Sequence, residues 1–120
     1  MAAHISRIIL FVADVPRLTA FYQQHFGLEP VGPTEDGWIE FSAGGCNLAL
    51  HRGKLPPGAS SHSPAKIVFG VSDVQAEVER LSREGLEFGK IHDWNGFSFA
   101  DTTDPEGNPI QLSSRGMAKA

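Results

Sequence analysis

Lys66-Ile-Val-Phe-Gly-Val-Ser-Asp-Val74 decides the fold, because the chain carries nearly the same sequence earlier, at Arg7-Ile-Ile-Leu-Phe-Val-Ala-Asp-Val15. Asp14 corresponds to Asp73 at an offset of 59, and Gly27-Leu28-Glu29 to Gly85-Leu86-Glu87 at 58. Asn47-Leu48-Ala49-Leu50 corresponds to Pro109-Ile110-Gln111-Leu112 at 62. Three correspondences at near-constant spacing define two copies of one supersecondary unit.

In the first copy, Ile8, Leu10 and Val12 alternate with Arg7, Ile9 and Phe11, the period of a strand with one wholly apolar face. Asp14 caps a helix whose first turn holds Pro16, where a missing N–H costs nothing. Leu18, Phe21, Tyr22 and His25 form its apolar stripe, and Gly27 ends it in the left-handed conformation. A short strand over Leu28–Val31 follows, kept near an edge by Pro30, Gly32 and Pro33. Trp38–Ser42 and Cys46–His51 then read as a hairpin across Ala43-Gly44-Gly45. The unit is β-α-β-β-β.

Residues 53–65 hold three prolines, two glycines and three serines without periodicity, and read as a linker and a candidate flap. The second copy repeats the plan. Ile67, Phe69 and Val71 form the apolar strand face, Ser72 and Gln75 have capping-box spacing, and Val74, Val78 and Leu81 give the helix stripe. Gly85 closes that helix. A strand is expected over Leu86–Ile91, then a loop with His92, Asp93, Trp94, Asn95 and Gly96. Phe97–Thr102 and Pro109–Ser113 make the last hairpin, turned by Asp104-Pro105-Glu106-Gly107-Asn108. The tail from Arg115 is expected to be loose. Residues 1–120 thus form a single domain, with units over 5–52 and 66–114.

Bulk composition excludes more than it assigns. At 120 residues the chain can bury a real core, and 41% hydrophobic with 20% charged residues is ordinary for a soluble protein. A net charge of −4 argues against nonspecific nucleic-acid or membrane binding. Cys46 is the single cysteine, which fits a reducing compartment. The start Met1-Ala-Ala-His-Ile5 lacks the charge and apolar run of a leader, and no stretch approaches the ~20 apolar residues of a membrane span. A cytoplasmic, soluble protein is expected.

The two units, the Asp14–Tyr22 helix start with its Phe21-Tyr22 pair, Phe26-Gly27-Leu28 and the Asp104–Asn108 hairpin together resemble the vicinal-oxygen-chelate superfamily. This group contains glyoxalase I, bleomycin- and fosfomycin-resistance proteins and extradiol dioxygenases. The resemblance spans roughly residues 5 to 114. It implies an α+β fold in which two βαβββ repeats form a curled mixed sheet, a cup with helices outside, often completed as a homodimer. It also implies a small-molecule ligand inside the cup. Members share a scaffold and differ in their sites, so the activity stays open.

In metal-dependent members, ligands come from the starts of the two first strands and the middles of the two last strands. The corresponding positions hold Arg7, Ala49, Lys66 and Gln111. Arginine and lysine are cations and alanine has no donor atom, so no metal or other cofactor is expected. Two cations at symmetry-related positions instead point to an anion-bearing ligand, with Arg7 and Lys66 as charge partners and Gln111 and His51 donating hydrogen bonds. The alternative is that both cations reach into water or pair with Glu40 or Asp101. Phe11 is expected to point into the cup and, with Trp38, Phe97, Phe99 and Trp94, to offer rings for stacking; these rings equally suit the core. His51, as an imidazole, is a candidate general acid or base and is otherwise a strand-end surface residue. His4, His25, His62 and His92 do not pair at metal-ligand spacing. The leading expectation is a metal-free protein that binds or sequesters a small molecule. The alternatives are a superfamily enzyme (lyase, isomerase or dioxygenase-like) using His51 or an unconventional metal, and a module that presents its cup to a partner protein.

Overall fold

In the computed structural model, residues 2–54, 57–58 and 65–117 are described. The chain forms two compact units, Met1–Ser63 and Pro64–Ala120, each with the order β-α-β-β-β. The linker and flap expected at 53–65 fall largely outside the described residues.

The first unit runs β1 (Arg7–Val12), α1 (Val15–Phe26), β2 (Glu29–Pro30), β3 (Trp38–Ser42) and β4 (Asn47–Arg52). Its sheet has the order β1-β4-β3-β2, parallel between β1 and β4 and antiparallel elsewhere. Asp14 caps α1 by accepting from the Arg17 amide at 3.1 Å, and Gly27 ends it at φ +63°. Because side chains alternate along a strand, Leu10, Val12, Ile39, Phe41, Leu48 and Leu50 share one sheet face and are buried. Leu18, Phe21 and Tyr22 of α1 are buried with them, each contributing about 1.5–3 kcal/mol by burial. Ile8 has the parity of that face but stays 43% exposed near the start of β1, while Leu10 and Val12 further along are buried.

The second unit runs β5 (Ile67–Gly70), α2 (Val74–Arg83), β6 (His92–Trp94), β7 (Phe97–Thr103) and β8 (Pro109–Ser113). Its sheet order, β5-β8-β7-β6, repeats the first. Three sequence expectations are corrected here. The cap of α2 is Asp73, which accepts from the Ala76 amide at 3.0 Å as Asp14 does in α1, while Gln75 bonds Glu79 instead of closing a box. Leu86–Ile91 is not a strand. The Thr102 hydroxyl donates to the Glu87 carbonyl at 2.7 Å and the Gly89 amide donates to the Asp101 carbonyl, isolated tertiary bonds that stand in for a ladder. Pairing begins at His92, and Asn95 (φ +46°) and Gly96 (φ +84°) form a two-residue left-handed turn between β6 and β7. Third, the start of the expected tail is tied down: the Arg115 amide donates to Ser113 Oγ at 3.1 Å and the Met117 amide to the Ser114 carbonyl at 3.0 Å, while residues 118–120 lie outside the described residues.

The β7–β8 turn closes around Asp104 and Asn108, only 3% and 1% exposed. Asp104 Oδ1 accepts from the amides of Glu106 and Asn108 and from Asn108 Nδ2, while Oδ2 accepts from Nδ2 at 2.9 Å. Buried polar groups satisfied in this way fix the turn. Among the described residues no helix is long and apolar enough to cross a membrane.

Candidate functional site

Each sheet presents a second face, away from its helix, and that face carries the candidate site residues named above. In the first unit the register sets three rows across it: Arg7 beside Asn47, Ile9 beside Ala49 and Glu40, and Phe11 beside His51 and Trp38. Arg7 Nε donates to Glu40 Oε1 at 3.0 Å, and Asn47 Nδ2 donates to Glu40 Oε2 at 2.8 Å. Glu40 is therefore held at both oxygens. The hydrogen bond from Asn47 and then that from Arg7 hold its carboxyl below the usual carboxylate range. At the other end of the face the His51 ring lies between Phe11, at 5.4 Å between centroids, and Trp38, at 5.5 Å and edge-on. Phe11 is 47% exposed.

The second unit repeats the polar end. Lys66 Nζ donates to Asp101 Oδ1 at 2.9 Å, and Gln111 Nε2 reaches the same oxygen at 3.1 Å. Burial pushes the Asp101 carboxyl up, but the bonds from Lys66 and Gln111, with the attraction of Lys66 and His92, outweigh it and leave it below its ordinary value. The remaining row differs: Gly70 pairs with Ser113, Ser113 with Phe99, and Phe99 with His92, whose ring stacks on Phe99 at 5.0 Å.

The structure thus places Arg7, Phe11 and His51 on one face of the first unit, and Lys66 and Gln111 on the matching face of the second. Arg7 and Lys66 both take the carboxylate partners named as their alternative. Asn47 was not foreseen as a partner of Glu40; its same-face parity with Arg7 was the available signal. Trp94 is 64% exposed in β6, pairing with Phe97.

Two recesses lie away from these faces. A groove of about 720 Å³ runs between the start of α1 (Asp14, Pro16, Thr19, Gln23) and the Thr34–Gly37 loop. Arg52 edges it and is engaged by Asp36 in a two-pronged bond at 3.2 Å, which lowers the Asp36 carboxyl and raises the arginine. A second recess of about 580 Å³ lies at the start of α2 among Ser72, Asp73, Asp93, Ser98 and Ser114. Among the described residues neither carries a free cation or a stacked ring beside a charged group.

Residues 4–112 match the Glyoxalase/Bleomycin resistance protein/Dioxygenase superfamily. The chain belongs to this superfamily. Among relatives of the superfamily member described here is the uncharacterized protein YetH of Bacillus subtilis, 26% identical over 93% of this chain and 98% of that one. Two solved structures share the fold. Lactoylglutathione lyase from Agrobacterium tumefaciens superposes with a TM-score of 0.75 at 22% identity, covering 93% of each chain. TnmS3, an antibiotic binding protein from Streptomyces sp. CB03234, superposes with a TM-score of 0.75 at 21% identity, covering 92% of this chain and 94% of that one.

Superfamily membership raises the question of a divalent metal, and the residues at the family positions do not fit one. Arg7 and Lys66 are cations already bonded to carboxylates, and Gln111 spends its amide N–H on Asp101. Ala49, fully buried, brings no donor atom. A hard cation needs several oxygen or imidazole ligands, and two positive side chains oppose it. Among the described residues no group of three or more His, Cys, Asp or Glu side chains could hold a metal ion.

Proposed function

We propose that this superfamily member binds or sequesters a small molecule that combines a flat apolar part with an anionic group, and that it does so without a metal at the family position. The exposed Phe11–His51–Trp38 row on the same sheet face as Arg7 carries the reading. Phe11 and Arg7 are four residues apart on one strand, roughly 13 Å at the rise of a strand, and the arginine side chain shortens that span. A fused-ring acid has this form.

Rings on the row stack against Phe11, and His51 donates from an imidazole N–H. Arg7 donates to Glu40 through Nε, which leaves its two Nη groups without a hydrogen-bond partner among the described residues and available to a carboxylate, phosphate or sulfonate. Lys66 and Gln111 offer the same chemistry on the second unit. A fold shared with an antibiotic binding protein agrees with a binding role. The protein acts as a homodimer in the cytoplasm on this reading, which light scattering and fractionation check.

The test is a titration with 8-anilinonaphthalene-1-sulfonate, an aryl sulfonate whose fluorescence reports binding, followed calorimetrically for stoichiometry. Saturable binding to the folded protein, weakened in both Arg7→Ala and Lys66→Ala, is the expected result. Unchanged affinity in both variants overturns the assignment of the charge partners. Chemical conversion of a bound ligand would move His51 from hydrogen-bond donor to general acid or base.

A further inference from the structure

The repeat exposes a vacancy that the strands themselves do not fill. At the register row where the first unit has Phe11, His51 and Trp38, the second unit has Gly70, Ser113 and Phe99. Two large rings are replaced by a hydrogen atom and a hydroxymethyl group, so a recess of side-chain size is left over Gly70 and Ser113.

Met117 occupies it. A Cβ built on Gly70 would lie 2.7 Å from Met117 Sδ, 3.6 Å from Cε and 3.7 Å from Cγ, so the thioether rests directly on the glycine backbone. Ser113 lies on the same face and is only 6% exposed. The backbone that delivers Met117 is fixed by the Met117–Ser114 turn bond, the Arg115–Ser113 bond and Gly116 at φ +74°. Arg115 lies over the Phe97 ring at 5.3 Å, and the Ser98 amide bonds Ser114 Oγ at 2.9 Å. The side chain itself remains 43% exposed. An unbranched thioether on an anchored turn can leave the recess by rotating its own bonds, with no strand moving.

We propose that the recess over Gly70 and Ser113, walled by the stacked Phe99 and His92 rings, is a subsite for the flat aromatic part of a ligand. Met117 is its resident plug and is displaced when the ligand enters. This rests on the reading that the sheet faces bind an aryl anion, and adds to it a competitor built into the chain. A self-occupied subsite weakens apparent affinity by the fraction of time it stands open. Removing the plug therefore tightens binding, whereas removing a contact would loosen it.

The experiment titrates 8-anilinonaphthalene-1-sulfonate into the wild type, Met117→Ala and Gly70→Ala, with methyl-labelled methionine observed by NMR. Met1 and Met117 are the two methionines, and Met117→Ala identifies the second signal. In the free protein a cross-peak links the Met117 methyl to the Gly70 α-protons, and it vanishes at probe saturation. Met117→Ala binds the probe about tenfold more tightly, as for a plug seated about nine-tenths of the time. Gly70→Ala, whose methyl group fills the floor, binds it more weakly than Met117→Ala. Unchanged or weaker binding in Met117→Ala, or a cross-peak that persists at saturation, overturns the proposal. So does failure of both wild type and Met117→Ala to take up the probe. Should Met117→Ala tighten binding while Arg7→Ala and Lys66→Ala leave it unchanged, the plug stands and only the charge partners are wrong.

Discussion

The two repeats keep the same polar end and part company at the aromatic end. Arg7–Glu40 with Asn47 in the first unit and Lys66–Asp101 with Gln111 in the second build a cation, a carboxylate and an amide on the same sheet face. Yet Phe11 and His51 are answered by Gly70 and Ser113, and Met117 arrives from outside the sheet to cover the gap. The polar end is satisfied within each unit by its own side chains, so drift at one residue is checked by its partner. The aromatic end is held by ring contacts in each unit, but with different residues, and the first unit's Phe11 and His51 have no ring counterparts at Gly70 and Ser113. Divergence there is where a duplicated scaffold acquires ligand preference.

The largest expected effect separates the two hairpins. Asp104→Ala removes an acceptor serving two amides and the Asn108 side chain in a buried turn, and is expected to destabilise the protein by about 2–4 kcal/mol in urea unfolding. In the first unit the equivalent turn depends on backbone freedom instead. Gly44 has φ +96° and nothing within 4 Å of a built Cβ, so Gly44→Ala costs about 1 kcal/mol, all of it backbone strain. Equal losses in the two variants would show that the hairpins are held in the same way.

Phe11→Ala is expected to weaken 8-anilinonaphthalene-1-sulfonate binding about tenfold, by removal of an exposed stacking ring. Loss of Phe97 or Phe99 in the second unit should be felt less while Met117 remains in place. Glu40→Gln sharpens the comparison in the opposite direction. It relieves Arg7 of its carboxylate and should tighten probe binding by a factor of about three, and Asp101→Asn should do the same through Lys66.

The smallest effect is a pH dependence. Both carboxyls are held below their ordinary values, so both favour the folded state when ionised. Their contribution is fully present above the unfolded carboxyl range near pH ~4, and is lost as pH falls through the lower folded values. The melting-temperature gap between wild type and Glu40→Gln should therefore narrow on acidification below about pH 4. A gap that is constant with pH would mean that Glu40 acts by packing alone.

Much of this was legible in the sequence because it follows a short period. The strand alternation of Ile8–Val12, the aspartate ahead of the first helix and the Asp104–Asn108 turn each rest on neighbours in the chain. The sheet parity that puts Arg7, Phe11 and His51 on one face follows from counting by twos. The errors came where tertiary bonds override local pattern. Leu86–Ile91 has strand composition, but Thr102 and Asp101 capture its backbone, and pairing starts only at His92, ahead of the Asn95-Gly96 turn. Met117 was not readable at all. Its partner is 47 positions away, and nothing but the missing side chain at Gly70 marks the place where it lands.

The central claim is that one of the family's metal positions in each unit, Arg7 in the first and Lys66 in the second, holds a carboxylate-paired cation, beside Ala49 and Gln111 at the other two. Metal analysis of the purified protein, before and after incubation with nickel, zinc, manganese and iron, tests it most directly. The account predicts no stoichiometric metal in any of these samples, with aryl sulfonate binding intact throughout. One tightly held metal per chain would contradict it, and would identify histidines such as His4, His51 or His92 as ligands in place of the ion pairs at Arg7 and Lys66.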